Sequence, residues 1–288
     1  MIPQSSPDAT PVTLGADFNV QHASAAHPLS GNRPALVIEC RHWPGEKFTL
    51  WYPEELLDRY PAAKARFYRY QAHIREFEPK WVVIPEEAGL LLEYEGRDYR
   101  VEAGLRAAPR RLDLTVTVTN RAKHQAPVGW LEICLRTAHA PSFADGTGER
   151  TFIHVAGEWL PIARTSMAGR SDSKFSMFPV GALKAWEWGH SPFLEEPDCP
   201  LILMADRTGK RVLGMANLPQ GMIFTNVAEH MRCMHSDACL PPVNPGGSFT
   251  ARGAVFFAEG GIDGAEKAFA AWQGSPARSC HVSHLECG

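Results

Sequence analysis

Apolar and polar residues alternate with period two along much of the chain, as in pleated strands that bury one face. The clearest run is Leu112-Asp113-Leu114-Thr115-Val116-Thr117-Val118-Thr119, with aliphatic side chains on one side, threonines and an aspartate on the other, and Asn120 at its end. Shorter runs occur at 35–40, 48–52, 81–84, 89–94, 98–103, 128–137, 151–155, 158–163, 201–205, 211–216, 221–226 and 248–257. Turn chemistry separates most of them, for example Glu95-Gly96, Arg207-Thr208-Gly209-Lys210 and Pro245-Gly246-Gly247. Roughly a dozen strands with few helices between them predict an all-β chain, a large antiparallel two-sheet β-sandwich with one or two short helices. Pro53-Glu54-Glu55 has the proline and acids of a helix start. After Pro61, Phe67, Tyr70, Ile74 and Phe77 recur at helical spacing, but Tyr68, Tyr70, Ala72 and Ile74 also alternate, leaving helix and strand both open. The alanine-rich stretch 263–272 predicts a terminal helix with Asp263 as its N-cap.

With 288 residues, such a chain buries about 75% of its unfolded surface and needs no disulfide or metal to fold. Apolar residues at 44% and charged residues at 21% exclude disordered, collagen-like and coiled-coil chains. Basic residues number 29 against 32 acidic, a net charge of −3, so no global field draws a polyanion and nucleic acid is not an expected partner. No apolar run approaches the roughly 18 residues of a membrane span, and no membrane partner is expected. Residues 1–30, rich in Ser, Pro, Ala, Asp and Thr, read as a flexible N-terminal segment ahead of a single domain over 31–288. No basic stretch followed by an apolar segment heads the chain, which suits a cytoplasmic protein or an exported one already relieved of its signal. The seven cysteines are odd in number and irregularly spaced, and read as buried or free thiols.

Three segments concentrate polar side chains. The first runs from His139 to His154 through Ser142, Asp145, Glu149 and Arg150; it offers a general base and a cation for a carboxylate or oxyanion, or else a solvated hairpin capped by Asp145. The second, Trp186-Glu187-Trp188-Gly189-His190, places two tryptophans on one side beside a histidine, as a stacking platform for sugar rings or as core filling. The third, Glu229 to Cys239, holds His230, Arg232, Cys233, His235 and Asp237. His235-x-Asp237 matches half of a two-histidine, one-carboxylate iron site, with His281 or His284 as the distal ligand. A metal-free acid/base role for His230 or His235 and a structural role at a strand end are the alternatives. Cys280, His281, His284 and Cys287 form a further array for a metal or a small loop. No cofactor is expected apart from a divalent metal at one of these positions. Gly-x-Gly-x-x-Gly before a helix, a P-loop, a Gly-x-Ser-x-Gly elbow and His-Glu-x-x-His are all absent.

The strand Gly221 to Asn226, a polar stretch through Asp237, and Pro245-Gly246-Gly247 leading into the strand from Ser248 to Phe257 resemble the end of the galactose-mutarotase-like domain. Leu112 to Asn120 followed by Val128-Gly129-Trp130-Leu131, within 112–137, is similar to that family's central strand pair. The resemblance implies a β-supersandwich, shared by aldose epimerases and by domains of glycoside hydrolases and polysaccharide lyases, with a concave sheet face used for carbohydrate. Where an aldose epimerase has Asn-His-x-Tyr-Phe-Asn, this chain has Arg136-Thr137-Ala138-His139-Ala140-Pro141, and only the histidine matches. Glu229 is the acid nearest the position of the epimerase's catalytic glutamate.

Together these readings predict a carbohydrate-active enzyme that abstracts a proton, of lyase or epimerase type. His139 or His235 would carry the proton, Glu229 would stand as a further acid, and Arg150 and Arg232 would hold a carboxylate or developing oxyanion. Asp145, His154, Trp186, Trp188, His190, His230 and Asp237 would contact the sugar. The alternatives are a non-catalytic carbohydrate-binding sandwich, a glycoside hydrolase and the iron oxygenase.

Overall fold

The structure, a computed structural model, describes residues 11–27, 31–59, 68–72, 80–84, 89–126, 128–165, 175–180, 183, 195–229 and 232–274. Two antiparallel sheets, each of nine strands among these residues, form the sandwich. The first sheet runs β1 (Val12–Leu14), β2 (Phe18–His27), β3 (Gly31–Cys40), β4 (Lys47–Arg59), β10 (Gly129–His139), β17 (Cys233–Leu240), β16 (Gln220–Asn226) and β13 (Phe175–Pro179), with β5 (Tyr68–Ala72) paired to β4. The second runs β12 (Glu158–Pro161), β11 (Thr151–Val155), β14 (Pro197–Ala205), β15 (Arg211–Leu218), β18 (Ser248–Glu259), β9 (Arg111–Asn120), β8 (Tyr99–Ala108), β7 (Gly89–Glu95) and β6 (Lys80–Ile84).

Alternation decides which side chains meet between the sheets. Leu112, Leu114, Val116 and Val118 of β9 face Leu131, Ile133 and Leu135 of β10 within one continuous core. Trp43, Phe48, Phe143 and Phe257 fill one end, with Trp43 stacked on Phe143 at 5.0 Å between ring centroids. The Tyr52 hydroxyl crosses the core to lie 2.8 Å from the Gly104 carbonyl and 2.7 Å from that of Thr115. Ser236 joins the sheets elsewhere: its hydroxyl donates to the Pro200 carbonyl at 2.5 Å and accepts from the Asn217 N–H at 2.9 Å. Asn217 also donates through its side-chain amide to the Ser236 carbonyl. Its strand partner must be Gly253, because a Cβ there would lie 1.8 Å from Asn217 Oδ1.

One α-helix occurs among the described residues, α1 (Gly261–Gln273). It lays Ala265 and Phe269 against Phe256 on the outer face of the second sheet, and each buried phenylalanine contributes about 2 kcal/mol by area. The terminal helix is thus where the alanine-rich stretch predicts it, but its N-cap is Gly260 and Asp263 lies within the first turn.

Two expectations change, and one open alternative is decided. Pro53-Glu54-Glu55 lies inside β4 and starts no helix: Glu132 pairs with Glu55 and Cys134 with Trp51, so Tyr52, Pro53 and Glu54 stand opposite Ile133 alone. A proline cannot donate to a ladder and is accommodated at such a bulge. Residues 68–72 are β5, and the rest of the second helix candidate lies outside the described residues. Residues 12–14 and 18–27, inside the segment expected to be flexible, are β1 and β2, hydrogen-bonded into the first sheet.

Candidate functional site

Strand β17 is buried along its whole length. Met234, Ala238 and Leu240 point into the core, so Cys233, His235, Asp237 and Cys239 point to the outer face of the first sheet. The neighbouring strand β10 does the same with Trp130, Glu132, Cys134 and Arg136, since Leu131, Ile133 and Leu135 point inward. Register sets Cys134 opposite His235 and Arg136 opposite Cys233. The bulge in β4 brings Trp51 and Glu54 to this face as well, and β16 adds Phe224. A polar cluster therefore sits in an apolar patch.

His235 is at its centre. Its ring stacks on Phe224 at 3.6 Å between centroids, and its Nε2 lies 3.3 Å from Cys233 Sγ. Its Nδ1 is buried without a hydrogen-bond partner. Asp237 Oδ1 at 3.7 Å and Glu132 Oε1 at 3.9 Å are the facing carboxylate oxygens, both beyond hydrogen-bond reach. Asp237 is anchored across the strands, accepting from Trp130 Nε1 at 2.8 Å and from the Ile133 N–H at 2.9 Å. Two donor sets share the imidazole. Cys134, Cys233 and His235 offer ligand atoms within 4.8 Å of one another, and so do Glu54, Glu132 and His235.

Burial and charge shape these groups. A hydrogen bond from the Cys134 thiol holds the Cys233 thiol down to about 6, against the opposing effect of burial and with help from His235. Cys134 itself is pushed well above its ordinary range by burial and by the neighbouring Cys233 sulfur. Burial opposes a proton on His235, but charge on Cys233 and the Asp237 carboxyl outweigh it and hold the imidazole well above its usual value. Burial raises Asp237. The sealed cluster thus favours a thiolate beside an imidazolium. Glu132, whose side chain is 14% exposed against 0% for Asp237, is the more accessible of the two acids facing the imidazole.

The candidate residues divide sharply. His235 and Asp237 lie in the cluster. His139 is exposed at the end of β10, paired with Lys47. Arg232 enters β17 with a positive φ of 34°, and its carbonyl accepts from the Thr137 N–H and hydroxyl. Glu229 is 90% exposed and 3.9 Å from Arg232, away from the imidazole. The loop before β11 holds itself together: Asp145 accepts from the backbone N–H groups of Thr147, Gly148 and Arg150 and from the hydroxyls of Thr147 and Thr151. Arg150 donates to the carbonyls of Ser142, Ala144 and Ala205. His154, on the second sheet, is held by Asp198 at 3.0 Å and packs edge-on against Trp159. Trp186, Trp188, His190 and His230 lie outside the described residues, as do His281, His284, Cys280 and Cys287. For the iron reading of His235-x-Asp237, the carboxylate is already committed to Trp130 and Ile133.

Sequence reasoning passed over Glu54, Glu132, Cys134 and Cys233 as site residues. The available signal was a shared spacing: Trp130-x-Glu132-x-Cys134-x-Arg136 and Cys233-x-His235-x-Asp237 both place chemistry at every second residue.

No family model matches the chain, and no curated protein matches it in sequence. Solved structures match it in fold. The Slr1438 protein from Synechocystis superposes with a TM-score of 0.51 at 7% identity, over 89% of this chain and 99% of that one. An α-N-acetylgalactosaminidase from Bifidobacterium bifidum, solved with GalNAc, gives a TM-score of 0.50 at 11% identity; the match covers 92% of this chain but 39% of the enzyme. A galactose mutarotase-like protein from Clostridium acetobutylicum gives 0.49 at 7% identity, over 87% and 98% of the two chains. The two-sheet fold is shared with the Slr1438 protein and with part of the galactosaminidase. At these identities the likeness is one of fold. No helix among the described residues is long and apolar enough to cross a membrane.

Proposed function

We propose that the protein acts on a carbohydrate at the outer face of the first sheet, transferring a proton to or from a sugar carbon. The observation that carries this reading is the placement of Glu132, a partly accessible carboxylate on β10, 3.9 Å from a sealed imidazole. Glu132 is the base that reaches substrate; His235 stands behind it as a positioning residue. Arg136, on the same face with its guanidinium 5.7 Å from the Trp51 ring centre, supplies positive charge for an acidic sugar unit. Arg136 stands four residues from Glu132 along the same strand, about 13 Å by rise, so the base and the cation would engage neighbouring units of an acidic oligosaccharide, and elimination or epimerisation of a uronic-acid unit is the leading reaction. A carbohydrate substrate, though not a uronic acid in particular, is what the galactosaminidase that shares the fold supports.

Hydrolysis is a second reading, favoured by one observation. Glu54 and Glu132 offer carboxylate oxygens within 4.8 Å of each other, close to the roughly 5 Å spacing of retaining glycosidases. Incubation with uronic-acid and neutral oligosaccharides separates the two. Near-ultraviolet absorbance of an unsaturated uronide reports elimination, and new reducing ends without it report hydrolysis. Binding without either product and without exchange of a sugar C–H for deuterium in heavy water, unchanged by Glu132→Gln, would leave a carbohydrate-binding sandwich.

A further inference from the structure

The thiols on the far side of His235 have no part in proton transfer by Glu132, yet they are enclosed reactive groups on this face. Cys134, Cys233 and His235 are 3%, 2% and 1% exposed, and their donor atoms all fall within 4.8 Å of one another. We propose that Cys134 Sγ, Cys233 Sγ and His235 Nε2 form a binding site for one zinc ion.

Three features point to a soft-ligand metal site. The donor set suits the ion: two thiolates and one imidazole are a standard zinc triad, with a fourth position left for water, a substrate oxygen or a further carboxylate. The spacing also fits. Around a tetrahedral zinc with Zn–S near 2.3 Å and Zn–N near 2.0 Å, sulfurs stand about 3.8 Å apart and sulfur and nitrogen about 3.5 Å. Nε2 already lies 3.3 Å from Cys233 Sγ, so small side-chain rotations complete the geometry. The third feature is the other side of the ring. Metal-bound histidines almost always donate their second N–H to a carboxylate, a backbone carbonyl or water. Here Nδ1 is buried, lacks a hydrogen-bond partner, and faces Asp237 and Glu132 at 3.7 and 3.9 Å.

On binding, the thiols and the Nε2 of the imidazolium release the protons they hold to solvent, two Zn–S bonds and one Zn–N bond form, and the imidazole keeps its proton on Nδ1. Adjacent strands supply the ligands, Cys134 from β10 and Cys233 and His235 from β17, so the ion would clasp the centre of the first sheet. The inference stands independently of the sugar chemistry, and its test needs no substrate.

Purified full-length protein is stripped with a chelator, then titrated separately with zinc sulfate and cobalt chloride. The expected result is one equivalent of metal per chain by elemental analysis. Cobalt should show a thiolate-to-metal charge-transfer band and the intense visible bands of a tetrahedral ion. Cys134→Ser and Cys233→Ser should each remove the charge-transfer intensity of one thiolate. Asp237→Asn, which keeps every ligand but loses the carboxylate facing Nδ1, should weaken zinc binding about 10- to 100-fold. Wild-type protein that takes up no stoichiometric cobalt, or a charge-transfer band that is undiminished in each single cysteine variant, would overturn the site. Because the wild-type titration stands alone, a variant that fails to fold does not protect the idea. Turnover of a uronide by fully metal-free protein with no uptake of cobalt would sink the zinc site and leave the proposed function standing.

Discussion

The loop from Ser142 to Thr151 and the outer face of β10 and β17 have similar ingredients: acids, an arginine and flanking histidines. They use them in opposite ways. In the loop, Asp145 accepts five hydrogen bonds from its own neighbourhood and Arg150 covers three carbonyls. Those bonds stabilise one backbone conformation and leave that carboxylate and guanidinium engaged. On the sheet face, His235 keeps a ring nitrogen without a hydrogen-bond partner, while three acids and two thiols surround it. Buried polar groups usually find partners, so an exception ringed by ionisable groups points to chemistry more strongly than a count of charged residues does.

The largest effect that would sharpen this contrast is on turnover. Glu132→Gln should lower kcat on the oligosaccharide that is processed by roughly 100- to 10,000-fold, the range for loss of a general acid or base, with little change in thermal midpoint. An equal loss with Asp145→Asn in folded protein would place the chemistry in the loop.

The next effect is on stability. Asp145→Ala leaves buried donors without an acceptor and should cost about 3–5 kcal/mol in denaturant unfolding, with kcat per folded molecule unchanged. A cost under about 1 kcal/mol would mean that the loop does not depend on the carboxylate.

A third effect is in pH. Burial tends to raise Asp145, but the Thr151 hydroxyl and the N–H groups of Arg150 and Thr147 outweigh it and hold the carboxyl below its ordinary value of 3.8. The unfolded chain therefore binds the proton first. Stability from this group is complete above the ordinary aspartate range and falls away as pH drops through the lower folded value. The stability gap between wild type and Asp145→Asn should accordingly narrow on acidification below that range. A gap that widens there would reverse the sign of the linkage.

The smallest effect concerns His154. His154→Gln removes its contact with Asp198 and should cost about 1 kcal/mol without altering turnover. Loss of activity would bring the second sheet into the site.

How far the sequence reveals all this differs from element to element. β9 is legible because one face is buried and the other solvated, which makes its alternation sharp. α1 is legible through its alanines. β17 is not, because both faces are buried and its outer face carries Cys, His and Asp, so the strand reads as a polar stretch. Pro53 and the two acids beside it imitate a helix start because a bulge tolerates the same residues that a first helical turn prefers. The site suffers from the same ambiguity. His235 and Asp237 stand out as residue types, but Glu132 and Cys134 gain meaning only when β10 pairs with β17, a contact spanning about a hundred positions of chain. The Asp145 loop looks equally promising in sequence, since turn-building and anion-binding draw on the same side chains.

A crystal structure with a bound, slowly processed uronic-acid oligosaccharide tests the central claim most directly. The sugar is expected on the outer face of the first sheet, with a Glu132 carboxylate oxygen within about 3 Å of a ring hydrogen's carbon or of the glycosidic oxygen. Sugar density against the Ser142–Thr151 loop or the second sheet, with the face around Glu132 and His235 empty, would contradict it.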